Sequence, residues 1–468
     1  MVSTVSSYVR QGGAANLACM TSLLAGAWIS WASVSLKKLM DTEPDFEHIG
    51  FRLNKYQISW MTCLLDIGNA TSPVLACIVI KRIGRKHSLL ISACFYCVPI
   101  LFLVYQDALC LYIARFSVGF AKGIAMTTLS LYISEISDSR IRGTLVALAA
   151  TYMYTGSLSV LLVGAFISLR RLSIILCIMP VIFMILFSFV PESPYYLASV
   201  KRFQDAKTSL KWFRASDNVD EEFDAIVRKS EADMKEGGSF IQLFRTPCSR
   251  KAVVIVFVTS TLHRLGGITS LVVYAPKTFP DTNIPILDSA HCSTIIMLSV
   301  MVGAITQCRL PDVLGRKPFL ALASILDSVA LILIGAYFIF PSSEYSYVVY
   351  IFLIMFGFCV SGVGAVPYIL VGEIFPMNIR CEASALSAVS MAAGSAITNK
   401  FHLLLVSYTN TSIIMFIYAF INFLMFVFTL MFVFETKCKT FEEIQHILAK
   451  SIKNNESLDN VKKMPHTP

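Results

Sequence analysis

The chain has 468 residues, 56% hydrophobic and only 15% charged, with a mean hydropathy of +0.67 and a net charge of +9. Soluble globular domains carry about a quarter charged residues, so this composition excludes a soluble enzyme or a disordered chain. The basic excess has a membrane explanation, below, and nucleic acid is not an expected partner.

The apolar residues fall in blocks long enough to cross about 30 Å of hydrocarbon as helix. Backbone groups in lipid must satisfy one another, so each block is expected to be helical. Twelve spans are expected, at 14–34, 57–80, 88–105, 108–134, 144–168, 172–190, 252–275, 290–308, 318–340, 347–371, 383–406 and 411–433. The fold class is therefore an all-α membrane protein with twelve transmembrane helices in two six-helix halves. The first block lacks a basic leader and a small-residue cleavage site, so it reads as a retained span. The segments are an N-terminal half (1–190), a cytoplasmic linker (191–251), a C-terminal half (252–433) and a cytoplasmic tail (434–468) whose end is expected to be disordered after Ser451. The linker holds eleven Lys/Arg and ten Asp/Glu, and Phe203–Phe213 and Glu221–Met234 have the spacing of short amphipathic helices. With both termini on the linker's side, about 28 Lys/Arg lie on that side and about seven on the other, the bias expected of a cytoplasmic face.

Thirteen cysteines are scattered mostly within spans. None has zinc-site spacing with histidines, so neither metal nor cofactor is expected. Cys94-Phe-Tyr-Cys97 reads as two small packing residues on one helix rather than a redox pair. Asn69-Ala70-Thr71 lies inside a span, Asn410-Thr411-Ser412 at the outer membrane surface and Asn455-Glu456-Ser457 in the tail; the first and last are not expected to be glycosylated.

An internal repeat organises the rest. Gly84-Arg85-Lys86 recurs as Gly315-Arg316-Lys317, Glu135 and Arg142 recur as Glu373 and Arg380, and Pro191-Glu192-Ser193 is matched by Phe434-Glu435-Thr436, at offsets of 231, 238 and 243 residues. Each pair follows the equivalent span of its half. A duplicated six-span unit with a cavity between the copies is a transporter plan, with a small-molecule solute and the lipid bilayer as partners. The repeated charges Arg85, Glu135, Arg142, Glu192, Arg316, Glu373, Arg380 and Glu435 are expected to form gating clusters at the inner ends. There, carboxylates accept bidentate bonds from guanidinium groups and hold the cytoplasmic ends together. Membrane-flanking positive charge explains the arginines, but not the glutamate seven residues before each one.

These residues resemble the sugar-porter branch of the major facilitator superfamily over nearly the whole chain. The resemblance is carried by Arg82-Ile83-Gly84-Arg85-Lys86, by Arg115 with Gly119 and Gly123, and by Tyr132, Glu135, Arg142 and Gly143. It continues through Pro191-Glu192-Ser193-Pro194, Gly267-Ile268 with Tyr274, Asp312 with Gly315-Arg316-Lys317, and Gly362, Gly364 and Pro367. It ends with Glu373, Arg380, Glu435-Thr436-Lys437 and Thr440-Phe441-Glu442-Glu443-Ile444. Within the branch, Trp31, Leu36 and Leu39 with Gly372-Glu373-Ile374-Phe375-Pro376 resemble insect facilitated trehalose transporters. The resemblance implies transport of a sugar, trehalose or a hexose, by alternating access about a midplane site. It also implies a monomer in the plasma membrane; with no nucleophile motif, metal cluster or phosphate loop in the sequence, no enzymatic activity is expected. Span 1 has no carboxylate for proton coupling, so transport is expected to be facilitative.

The resemblance also places the solute contacts, and here the chain departs from the family. Positions where the family has glutamine hold Ala150, His263 and Arg264; a family asparagine is Thr269 and a tryptophan is Tyr368. A further asparagine and tryptophan are Met391 and Ala392, and the proline before Tyr132 is Ser130. The substrate-binding candidates are thus His263, Arg264, Thr269, Tyr274 and Tyr368. Asp66 and Lys122 add charge within spans, where each ionised group costs at least about 2.5–3.5 kcal/mol unless paired or wet. Arg264 is expected to face the cavity, holding an anionic group or pairing with Asp66. Two other functions stay open: transport of a different, anionic solute, and a non-transporting sensor on the same fold.

Overall fold

The computed structural model describes residues 2–40, 53–138, 140–236, 239–279, 289–307, 310–340, 346–376, 379–439, 442–448 and 450. The first half consists of α1 (Val2–Met40), α2 (Lys55–Ile83), α3 (Arg85–Cys97) continued after a turn by α4 (Ile100–Tyr105), α5 (Ala108–Ile136), α6 (Arg142–Val163) and α7 (Leu169–Ser188). The linker folds as α8 (Pro194–Ser199), α9 (Phe203–Arg214), α10 (Asp220–Glu236) and a 3-10 turn at Phe240–Phe244. The second half runs through α11 (Pro247–Leu265), α12 (Ile268–Val273), α13 (Ala275–Thr278), α14 (Ser289–Thr306), α15 (Leu310–Leu314), α16 (Arg316–Tyr337), α17 (Ser346–Ile374), α18 (Arg380–Tyr408) and α19 (Thr411–Phe432).

Among the described residues ten helices are long and apolar enough to cross a membrane, with His291–Thr306 a shorter eleventh. The twelfth position is filled by α18, at 29 residues long enough but diluted by a buried polar face of Ser387, Ser390, Ser395, Thr398, Asn399 and His402. That face looks inward, so hydropathy understates the span. Outward surfaces are apolar instead: Ile174, Ile178, Val181, Ile182 and Ile185 are all exposed on α7, as are Phe420, Phe423 and Leu424 on α19. Side chains of this kind belong in hydrocarbon.

Where the apolar cores run shows how the halves meet. Toward the end away from the linker, one core joins Trp28, Trp31 and Leu36 of α1 and Met61 of α2 to Val273, Tyr274 and Leu403 of the second half. A second joins Leu161 of α6 to Ile268, Leu271 and Ile296. Toward the linker end each half keeps its own core. One contains Ala15, Leu129, Tyr132, Phe187 and Phe213; the other contains Val256, Phe319, Leu370 and Met425. The halves are thus sealed together at one end and separately packed at the other. The linker docks on the first half: Ser7 Oγ and Arg10 Nη1 donate to the carbonyls of Phe213 and Trp212, both at 3.0 Å.

Tail residues beyond 450, and Thr440 and Phe441 of the C-terminal motif, lie outside the described residues.

Candidate functional site

Both charge clusters begin with a glycine. Gly84 and Gly315 have φ of +92° and +97°, a region open to glycine. A Cβ at either would sit 2.3 Å from Glu192 Oε2 or 2.5 Å from Glu435 Oε2. The bare backbone therefore lets a carboxylate seat itself on the first amides of the next helix, where unpaired N–H groups and the helix dipole favour an anion. Glu192 accepts from the N–H of Arg85 at 3.1 Å and Lys86 at 3.0 Å. Glu435 accepts from Arg316 at 3.0 Å and Lys317 at 3.1 Å, and from Thr436 and Lys437 at 3.0 and 2.8 Å. Burial acts to raise the pKa of Glu435, but the amides of Lys437, Arg316, Lys317 and Thr436 outweigh it and hold the carboxyl below its ordinary value.

The arginine side chains then turn to the second carboxylate. Arg85 donates Nε at 3.1 Å and Nη2 at 2.8 Å to Glu135; Arg316 donates the same atoms to Glu373 at 3.1 and 2.7 Å. The copies differ in how they finish. Ser193 Oγ donates to the other Glu135 oxygen, whereas Glu373 Oε2 has no partner among the described residues. Arg85 lies over the Tyr196 ring, its guanidinium carbon 5.1 Å from the centroid, while Arg316 also pairs with Asp312 at 2.8 Å.

Two expectations need correction. Arg142 and Arg380 do not join the carboxylates: their Nη2 groups donate to the carbonyls of Ser137 and Phe375 at 3.2 and 3.3 Å. Glu192 and Glu435 bind helix amides rather than arginine side chains. The clusters lie within halves, and they do not bridge them in this conformation. At the linker end, the ion pair that crosses between halves among the described residues is Lys81–Glu382, at 3.1 Å. One turn away, the Cys77 and Cys381 sulfurs approach to 3.4 Å across the same α2–α18 seam. A cavity of about 510 Å³ opens beside Glu373, Arg380, Thr436 and Lys439 at this end.

At mid-membrane the seventh span breaks. Gly267 has φ +98°, and a Cβ there would lie 2.6 Å from the Tyr418 ring. The chain passes from α11 to α12 at this point, and Asn422 Nδ2 donates to the freed Gly266 carbonyl at 3.2 Å. Arg264 lies in the last turn of α11, partly exposed, with Nη1 3.4 Å from Thr269 Oγ1. Thr269 also meets Ser395 Oγ at 3.3 Å. Tyr368 of α17 is 50% exposed and lies, with Tyr154 of α6, within electrostatic reach of Arg264. These side chains come from both halves, Tyr154 from the first and the others from the second.

Two substrate candidates sit elsewhere. His263 is buried against α17, its Nε2 2.8 Å from where a Cβ on Gly364 would be, and its Nδ1 has no partner among the described residues. Tyr274 is fully buried in the seal: its hydroxyl is 2.5 Å from Thr62 Oγ1 and donates to the Asn399 carbonyl at 2.9 Å. Asp66 does not pair with Arg264; it accepts from Asn399 Nδ2 at 2.6 Å, linking α2 to α18. Lys400 adds to that seam, donating to Ser59 Oγ at 3.1 Å and sitting 3.7 Å from the Trp60 ring centroid.

The comparisons with known proteins decide the family. The profile described as "Sugar (and other) transporter" matches residues 16–448. The chain belongs to that family and is a multi-pass membrane protein. It is 26% identical to a facilitated trehalose transporter of Apis mellifera ligustica, over 98% of this chain and 92% of the relative. It is 28% identical to facilitated glucose transporter member 6 of Mus musculus, over 84% and 83%. In structure it is similar to the inward-open xylose transporter XylE from E. coli, with TM-score 0.77 and 20% identity over 92% of this chain and 98% of that one. The major facilitator fold of twelve helices is thereby established.

Sequence reasoning missed several participants. Ser193 stood inside a motif already singled out. Thr62, Asn399 and the Lys81–Glu382 pair gave no local signal. Asp327 of α16 is fully buried, and neither of its oxygens is hydrogen-bonded among the described residues.

Proposed function

We propose that this chain carries a sugar, trehalose or a hexose, down its gradient by alternating access. The observation that supports this best is the asymmetry of the two ends. Apolar cores and neutral or singly charged hydrogen bonds join the halves away from the linker, while the linker-end cores stay apart; on this reading the part-exposed Arg264 and Tyr368 face a space open on that side. Together with family membership, this describes a carrier caught with its site facing the linker. The linker and both termini then face the cytoplasm, in the plasma membrane, and a single chain forms the whole pathway.

The gating role follows from the duplicated clusters. Arginine pairs in which Nε and Nη2 share one carboxylate oxygen preorganise each half's linker end, and closing the halves would bring Arg142 and Arg380 within reach of the carboxylates of Glu135 and Glu373. The unpartnered Glu373 Oε2 and Arg380 Nε, both buried and beside one cavity, are groups that such closure would satisfy. Uptake of labelled trehalose and D-glucose into liposomes holding the purified protein tests the reading. Saturable, gradient-driven uptake that an imposed proton gradient leaves unchanged is expected. No uptake of either sugar, by protein shown to be folded and inserted, would remove it.

A further inference from the structure

Arg115, Lys122 and Arg264 lie within electrostatic reach of Asp66 inside the spans, and the partners of the three cations do not balance. Arg115 is satisfied: Nη1 donates to the Trp28 carbonyl at 2.7 Å, Nε to that of Met61 at 3.2 Å, and the guanidinium lies over Trp31. Asp66 is taken by Asn399. Two cations are left over. Lys122 of α5 feels Asp66, Arg264 and Arg115 electrostatically, yet makes no hydrogen bond or ion pair among the described residues. Among the described residues Arg264 has a single 3.4 Å hydrogen-bond contact, to a hydroxyl, and no carboxylate within ion-pair distance. The C-terminal dipole of α11 offsets part of the Arg264 charge; Lys122, in mid-helix, has no such offset.

Lys122 belongs to the first half and Arg264 to the second, and Tyr154 and Tyr368 stand beside Arg264. We propose that the space between the halves takes a sugar bearing an anionic group, a carboxylate or a phosphate monoester, held jointly by Lys122 and Arg264. The inference rests on reading that space as a sugar pathway. An anion supplies the charge that the protein lacks, through bonds stronger than those of neutral hydroxyls. Tyr154 and Tyr368 supply ring faces and hydroxyls for the sugar. Because each half contributes one cation, the ligand gains most where the halves bring both to it. That difference between conformations is what a ligand needs to shift them.

Equilibrium binding to the purified protein distinguishes the outcomes, with labelled D-glucose 6-phosphate, D-glucuronate, D-glucose and inorganic phosphate as probes. At least one anionic sugar is expected to bind about tenfold or more tighter than D-glucose, with the preference shrinking at high salt. In Lys122→Met and in Arg264→Gln that ratio should fall toward one, and Lys122→Arg should restore it. D-glucose binding as tightly as both anionic sugars, or a preference untouched by either substitution, overturns the inference while the sugar reading stands. Inorganic phosphate binding as tightly as the sugar phosphate, with no affinity for D-glucose or D-glucuronate, overturns the sugar reading and keeps the two cations as an anion site.

Discussion

The two ends of this molecule hold its halves by different means. Away from the linker, apolar cores cross the boundary, reinforced by neutral or singly charged hydrogen bonds: Thr62 with Tyr274, Asp66 with Asn399, Ser59 with Lys400. At the linker end the strong bonds stay inside each half, and among the described residues one ion pair crosses. The difference matters for motion. Apolar contact is non-directional and scales with area, so a seal of this kind opens as a whole surface. Charged groups make specific, exchangeable bonds, so Glu135 and Glu373 can accept a new donor without leaving their present arginines. One end is built as a seal and the other as a latch.

The sharpest way to break the distinction is to tie the latch. Oxidation that joins Cys77 to Cys381 should reduce sugar uptake at least about tenfold, reversed by a thiol reductant and absent in Cys77→Ser. Uptake unaffected by a demonstrated cross-link would mean that α2 and α18 need not move there. Next in size is Gly315→Ala. It strains a positive φ and drives a Cβ into Glu435, for which about 1–3 kcal/mol of lost stability is expected in thermal melts, with uptake falling in step. Glu135→Gln should follow, costing more than Glu373→Gln in parallel uptake assays. Both oxygens of Glu135 are engaged and only one of Glu373; equal losses would show that the copies are equivalent in function. At the sealed end, Tyr274→Phe removes a neutral hydrogen bond worth about 1 kcal/mol. It should raise the population open away from the linker about fivefold, read as thiol labelling of Cys63 from that side. The smallest effect concerns acid. Because Glu435 titrates below its unfolded value, its contribution is present above the ordinary glutamate range and is lost as pH falls through the folded value. Acidification should therefore destabilise the native protein more than Glu435→Gln, as seen in melting temperature against pH.

Much of the architecture was legible because it is local and repeated. Each span is a contiguous apolar block, and the duplicated Gly-Arg-Lys and Glu-to-Arg spacings recur at equivalent helix ends. The linker helices were visible in short amphipathic windows. Legibility ended where residues far apart in sequence meet. Asp66 and Asn399 are 333 residues apart, and nothing near either marks the other as its partner. The same holds for Tyr274, which the sequence offers as a solute contact and the structure buries in the seal. His263 occupies a polar family position, yet the small Gly364 opposite leaves room for the ring to pack out of the cavity. Arg142 and Arg380 show a different limit. Their spacing fixes which helix end they occupy, but their partners depend on which conformation the two halves adopt, and that is a balance of whole surfaces.

The central claim is that the linker ends of the two halves move apart and together while the opposite ends do the reverse. Gly143 of α6 and Gly372 of α17 both have open space around a would-be Cβ, so spin labels at Gly143→Cys and Gly372→Cys report that separation with little disturbance. Pulsed electron–electron distance measurement in lipid should give two populations, one long and one short, whose ratio shifts when a transported sugar is added. A single distance, unchanged by a sugar that the same labelled protein transports, would contradict the account.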